Sequence, residues 1–172
     1  MKRLIILLFV IQTGLQSGRA QLGQSAEKCT VLFGKPLYTK NADTAGTTIA
    51  NYRTPAFQIT ACFKKDVAAY FIYRKSDGSS MSDEEIQGIL AVHAAEKQRW
   101  FKRVITGERR PAVGAPRRGK SPFHDLQTGP REWYVLGHDE FGAAYYLEKH
   151  VLLIWNSKTG FDAASILKEN RL

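Results

Sequence analysis

The chain has little of what usually announces a function. Its 172 residues include 2 cysteines, 2 methionines and 4 histidines, too few for a disulfide-dense scaffold or a cysteine-rich metal fold. Acids are scarce too, 16 against 25 Lys and Arg, for a formal charge of +9. The longest apolar run, residues 4–11, is less than half of the roughly 20 residues that a membrane-spanning helix needs. No Gly-x-Ser-x-Gly, His-Glu-x-x-His or phosphate-cradling glycine loop occurs, so no motif points to a serine hydrolase, a zinc protease or a nucleotide-binding enzyme. There is no internal repeat.

What is present begins with an export signal. Lys2 and Arg3 precede the apolar run, and a polar stretch ends Ser17-Gly18-Arg19-Ala20, with small residues where a signal peptidase reads them. The pattern predicts cleavage after Ala20, a periplasmic or secreted product, and no transmembrane segment in what remains. Loss of Lys2, Arg3 and Arg19 lowers the formal charge from +9 to +6, a balance compatible with anionic partners. Residues 21–172 suffice for a single domain that buries roughly two-thirds of its unfolded surface.

Periodicity outlines that domain. Residues 21–24 read as a flexible leader and 27–33 as a short helix stopped by Gly34 and Pro36. Residues 40–48 are polar and read as a loop. Residues 56–63 alternate, 67–74 are rich in aromatic and β-branched types, and the short link between them predicts a hairpin. Ser82 with Glu85 makes a capping box. The apolar stripe Ile86, Ile89, Leu90, Trp100, Phe101 and Val104 then predicts a helix over 83–104. Residues 107–130 hold Pro111, Pro116, Pro122 and Pro130 and read as a long loop. Strands are expected at 132–137, 143–147 and 151–155, and a closing helix at 161–170. The sum is an α+β fold, with an antiparallel sheet of about five strands and helices packed on one face. Alternation puts Cys62 on the face opposite Phe57, Ile59, Ala61 and Phe63. A disulfide from there to Cys29 on the first helix would contribute roughly 3 kcal/mol.

Part of this pattern resembles a known group. The run Cys29…Phe33-Gly34-Lys35-Pro36, Tyr52, Phe57-Gln58-Ile59, Tyr73-Arg74-Lys75 and Ser82…Glu85-Ile86…Leu90…Trp100 is similar to small exported bacterial proteins with a Tyr-Gly-x-Pro turn, a hairpin and a Trp-bearing helix. Phe33 replaces the usual tyrosine, and His93 stands where a polar amide is expected. The resemblance implies export and the fold, and carries no activity.

Three sets of residues are candidates for chemistry. Lys102, Arg103, Arg109, Arg110, Arg117, Arg118 and Lys120 face a single acid, Glu108. Arginine forks grip phosphate or carboxylate in a bidentate way, although a solvated loop explains the same letters. No aromatic lies between Phe101 and Phe123 to stack bases, and export removes genomic nucleic acid as a partner. His124, Asp125 and His138, with Asp139 and Glu140 beside the last, offer metal ligands in loops; polar turns account for them equally. His93 falls in the helix stripe with Lys97 one turn on, either a general base or a buried hydrogen-bonded histidine. Surplus Tyr and Trp on the strands also suit a protein-binding face. Together these point to an exported, non-catalytic domain that binds a protein or an anionic envelope polymer and needs no cofactor. The alternatives are a small metal-dependent hydrolase and a basic protein adhering to anionic lipid or polymer through the arginine loop.

Overall fold

In a computed structural model of the protein, the described residues are 22–42, 46–94, 100–105, 131–136, 141–161 and 163–170. Among them the elements run α1 (Ala26–Phe33), β1 (Tyr38–Asn41), β2 (Thr47–Arg53), β3 (Phe57–Lys64), β4 (Val67–Lys75), α2 (Asp83–Val92), β5 (Trp100–Ile105), β6 (Arg131–Leu136), β7 (Phe141–Tyr146), β8 (Val151–Asn156) and α3 (Ala163–Glu169). The strands form one 8-stranded sheet in the order β1-β2-β3-β4-β8-β7-β6-β5. Every neighbouring pair is antiparallel. The fold is α+β on an antiparallel sheet, as the alternation implies, with more strands than the pattern suggests.

Short turns make this layout local in sequence. Between β3 and β4 the link is Lys65 and Asp66, both in the left-handed region at φ 52 and 62, the pair of angles that a mirror-image two-residue turn demands. The register then slips once: Cys62 pairs with Tyr70 but Phe63 with Ala68. Ala69 is thus a bulge, and it lets β4 bend while keeping its ladder. Two meanders, β1 to β4 and β5 to β8, meet where β4 pairs with β8.

Register sorts the side chains onto two faces. Tyr52, Ile59, Tyr73, Leu152 and Tyr145 are partners across successive strands and belong to one buried cluster, which α1 and α2 cover through Cys29, Ile86, Ile89 and Leu90. Ile49, Cys62, Tyr70 and Trp155 make a row three positions along, on the opposite face, and belong to a second cluster with Ile166 and Leu167 of α3. Two helices share a face, as expected; the closing helix covers the other. That burial on both sides explains why β8, Val-Leu-Leu-Ile-Trp, reads as a continuous apolar run and not an alternating one.

Four expectations change here. The helix expected over 83–104 ends at Val92, with His93 as its cap at φ −92 and ψ −2. Trp100 and Phe101 fell on the helical stripe by coincidence of spacing. Their stretch is aromatic and β-branched and forms β5, while the Trp100 indole N–H donates to the Leu90 carbonyl at 2.7 Å and satisfies the helix end. The two ends of the stretch 40–48 are strand, residues 40–41 in β1 and 47–48 in β2, and β1 escaped notice because all its residues are exposed and carry no alternation. The leader is pinned: Leu22 is buried, the Gly23 N–H donates to the Ala68 carbonyl at 3.0 Å, and the Ala68 N–H donates to the Gln24 carbonyl at 2.8 Å. Finally, Cys29 and Cys62 are both buried and are not joined by a disulfide. Cys62 takes the face expected of it, but Phe33 seats α1 on the opposite one, against Tyr52, Phe71 and Tyr73 at ring distances of 5.4, 6.0 and 6.4 Å. The sheet therefore separates the two sulfurs.

Gly142 shows how tightly the second face is packed. A Cβ there would run into the six-membered ring of fully buried Trp155, and both residues sit on strands that cannot shift without breaking the ladder. Gly142→Ala is expected to cost about 1–3 kcal/mol through overpacking, read as a lowered urea midpoint at unchanged slope.

Candidate functional site

Some of the candidate residues fall on described positions and some do not. Arg109, Arg110, Arg117, Arg118, Lys120, His124, Asp125, His138 and Lys97, together with residues 1–20, lie outside the described residues. Lys102 and Arg103 are on β5, in register with Tyr134 and Trp133 of β6. Among the described residues no group of three His, Cys, Asp or Glu could hold a metal ion, and no helix is long and apolar enough to cross a membrane.

His93 proves to be an interior group. Its exposure is 0%. Its Nε2 is 2.8 Å from the Tyr73 hydroxyl, and its ring lies 4.9 Å from that of Phe71. Nδ1 has no partner among the described residues. With desolvation opposing the imidazolium, its pKa is pushed down to about 3. Burial likewise pushes the Cys29 thiol up to about 12, with the Asp66 charge adding to the effect, and holds Tyr73 well above the usual phenol range. A thiol that stays protonated and an imidazole that stays neutral behind two helices act as core, not as nucleophile and base.

Two surface hollows remain. The larger, about 400 Å³, is bordered by Lys75, Asp77 and Glu85. Its charges are already spent: Lys75 Nζ pairs with Glu85 Oε1 at 3.0 Å. Glu85 Oε2 accepts from the Ser82 N–H at 2.8 Å to close the capping box of α2, and Asp77 accepts from Ser79 at 2.7 and 2.9 Å. The hollow is the seam where β4 turns into α2.

The smaller, about 250 Å³, is different in kind. Tyr38, Asn51, Thr60 and Ile72 form a straight row across β1, β2, β3 and β4, and all four line it. Gln58 and Arg74 line it from the next row, where Arg53, Gln58 and Arg74 are in register. Asn170, just past α3, closes one side. The row spans three strand spacings, roughly 14 Å. Its local bonds orient the amides: the Thr60 hydroxyl donates to Asn51 Oδ1 at 2.7 Å, which commits that oxygen and keeps Asn51 Nδ2 as a donor. Asn170 Nδ2 donates to the Ile166 carbonyl at 2.9 Å and the Tyr70 hydroxyl at 3.1 Å, which leaves its Oδ1 as an acceptor. Among the described residues no carboxylate lines the groove, and neither Arg53 nor Arg74 makes an ion pair.

The chain matches no known protein family, no curated protein and no solved structure.

Sequence reasoning missed this groove because its residues are ordinary polar letters on four strands, and only register gathers them. A signal was there in part. Gln58 and Thr60 alternate with the apolar Phe57, Ile59 and Ala61, so they had to share a face with Cys62.

The buried histidine makes stability depend on pH. His93 is neutral in the folded protein down to about pH 3, whereas an unfolded histidine takes its proton near pH 6.5. Its contribution is therefore complete above pH 6.5 and is lost as pH falls towards 3. Between pH 6 and 4 the protein is expected to lose up to about 1.4 kcal/mol per pH unit more than His93→Gln, which keeps a partner for Tyr73 and cannot titrate. Paired urea titrations check it; equal slopes for the two proteins would mean that His93 is accessible and charged.

Proposed function

We propose that this chain is an exported, non-catalytic binding domain whose ligand is a component of the cell envelope, and that the groove over β1 to β4 receives it. The observation that carries the reading is a set of oriented, unspent polar groups: Asn51 held by Thr60, Asn170 held by Tyr70 and Ile166, and Arg74 without a counter-charge among the described residues. Polar side chains fixed by their neighbours and turned to solvent give a site its orientation and specificity. Two groups that could serve catalysis, Cys29 and His93, are at 0% exposure and in their uncharged forms. Export rests on the charged, apolar and small-residue order of residues 1–20. The basic balance of the rest favours an anionic partner.

The test is co-sedimentation of the signal-processed protein with washed envelope material from its own cells. The protein is expected to pellet, and Arg74→Gln combined with Asn51→Ala is expected to leave it in the supernatant with an unchanged melting temperature. Equal pelleting by the variant would remove the groove from the account. Failure of the unaltered protein to pellet would remove the envelope as its partner.

A further inference from the structure

The chemistry of the groove narrows its ligand, on the premise that it is the binding site. Donors dominate. Arg74 offers a planar fork suited to a carboxylate, Asn51 keeps its N–H₂ as a donor because Thr60 occupies its oxygen, and Gln58 stands in register between Arg74 and Arg53. The two arginines are two strand spacings apart, about 10 Å, so a chain with repeated acidic groups meets a second cation as it leaves the first. Among the described residues the lining holds no carboxylate to oppose an anion.

Amides and one aromatic ring complete the set. Asn51 and Asn170 present a donor and an acceptor, the pair that a hydroxyl needs because it is both. Tyr38, half exposed at 55%, supplies an aromatic face for the C–H side of a ring at the β1 end of the row. The shape agrees. About 250 Å³ is below the roughly 300–1,000 Å³ of an enclosing small-molecule pocket, while the row runs on across four strands. An extended peptide suits it less well. Strand addition recognises a peptide through a free sheet edge, and the groove lies on the face, where the backbones of β2 and β3 are bonded on both sides.

We infer that the groove over β1 to β4 binds an acidic glycan, with a sugar carboxylate received by Arg74 and ring hydroxyls by Asn51, Gln58 and Asn170. Galacturonic-acid octamer is the probe, titrated calorimetrically into the signal-processed full chain. Saturable binding is expected, weakened about tenfold or more by Arg74→Gln, since a hydrogen bond to a charged group is worth about 1.5–3 kcal/mol. Asn51→Ala is expected to weaken it several-fold. The methyl-esterified octamer, which keeps the hydroxyls and loses the charge, is expected to bind at least as poorly as Arg74→Gln does with the acid. Replacing Arg109, Arg110, Arg117 and Arg118 together by Gln is expected to flatten the salt dependence and leave the groove's preference for acid over ester. Unchanged affinity in Arg74→Gln would overturn the inference, as would equal binding of a polyglutamate of matched charge, which would make the ligand an acidic peptide. If the octamer fails while the protein still pellets with envelope through Arg74, the glycan is wrong and the binding reading stands. If both fail, both are wrong.

Discussion

The pairing of β4 with β8 is the contact on which everything else depends. Each meander folds from short turns, but neither could bury both of its faces alone. Joining them places Tyr70 to Arg74 beside Val151 to Trp155, and both strands become almost wholly buried. Such a pairing closes a long stretch of chain at an entropic cost. The cost is met on both sides of the same ladder: Phe71, Tyr73, Leu152 and Ile154 go to one cluster, and Tyr70, Ile72, Leu153 and Trp155 to the other. Substituting a residue in either strand therefore disturbs a face and the join together.

The two faces then diverge. α1 and α2 close the first so completely that a cysteine, a tyrosine and a histidine are held there uncharged. α3 spans only 7 residues. It covers Tyr70 and its neighbours and stops at Asn170, so the polar ends of Asn51, Thr60 and Arg74 stay at the surface. The groove is thus what a short helix leaves uncovered on a wide sheet. Its makeup follows from the strands' own alternation.

Much of this was legible in the amino-acid order. The β3–β4 hairpin, the capping box at Ser82 and Glu85, and the last strand and helix follow from alternation, caps and turn residues that act over a few positions. What escaped was set by longer-range contacts. Trp100 matched a helical stripe because the eleven residues from Ile89 are close to three whole turns; only its bond to the Leu90 carbonyl shows a strand returning to cap α2. β1 has an exposed pattern throughout, so pairing with β2 alone makes it a strand. The Cys29–Cys62 bridge failed on a single unknown, the side of the sheet on which α1 lies. Periodicity within a helix cannot supply that. The groove escaped for the same reason. Asn51, Gln58, Thr60 and Arg74 acquire meaning only when register sets them side by side, and a polar residue on a strand otherwise reads as a solvated one.

The sorting of residues onto two closed faces is the claim that supports the rest, and the two thiols report on it directly. The signal-processed protein would be treated with iodoacetamide without reductant, first folded and then in denaturant, and the labels counted by intact mass. The account predicts no label on the folded protein and two on the unfolded one, because Cys29 and Cys62 form no disulfide and are buried on opposite faces of the sheet. No label in denaturant would mean that the sulfurs are bridged and that α1 lies across the other face. A label on the folded protein would mean that one of the faces is open.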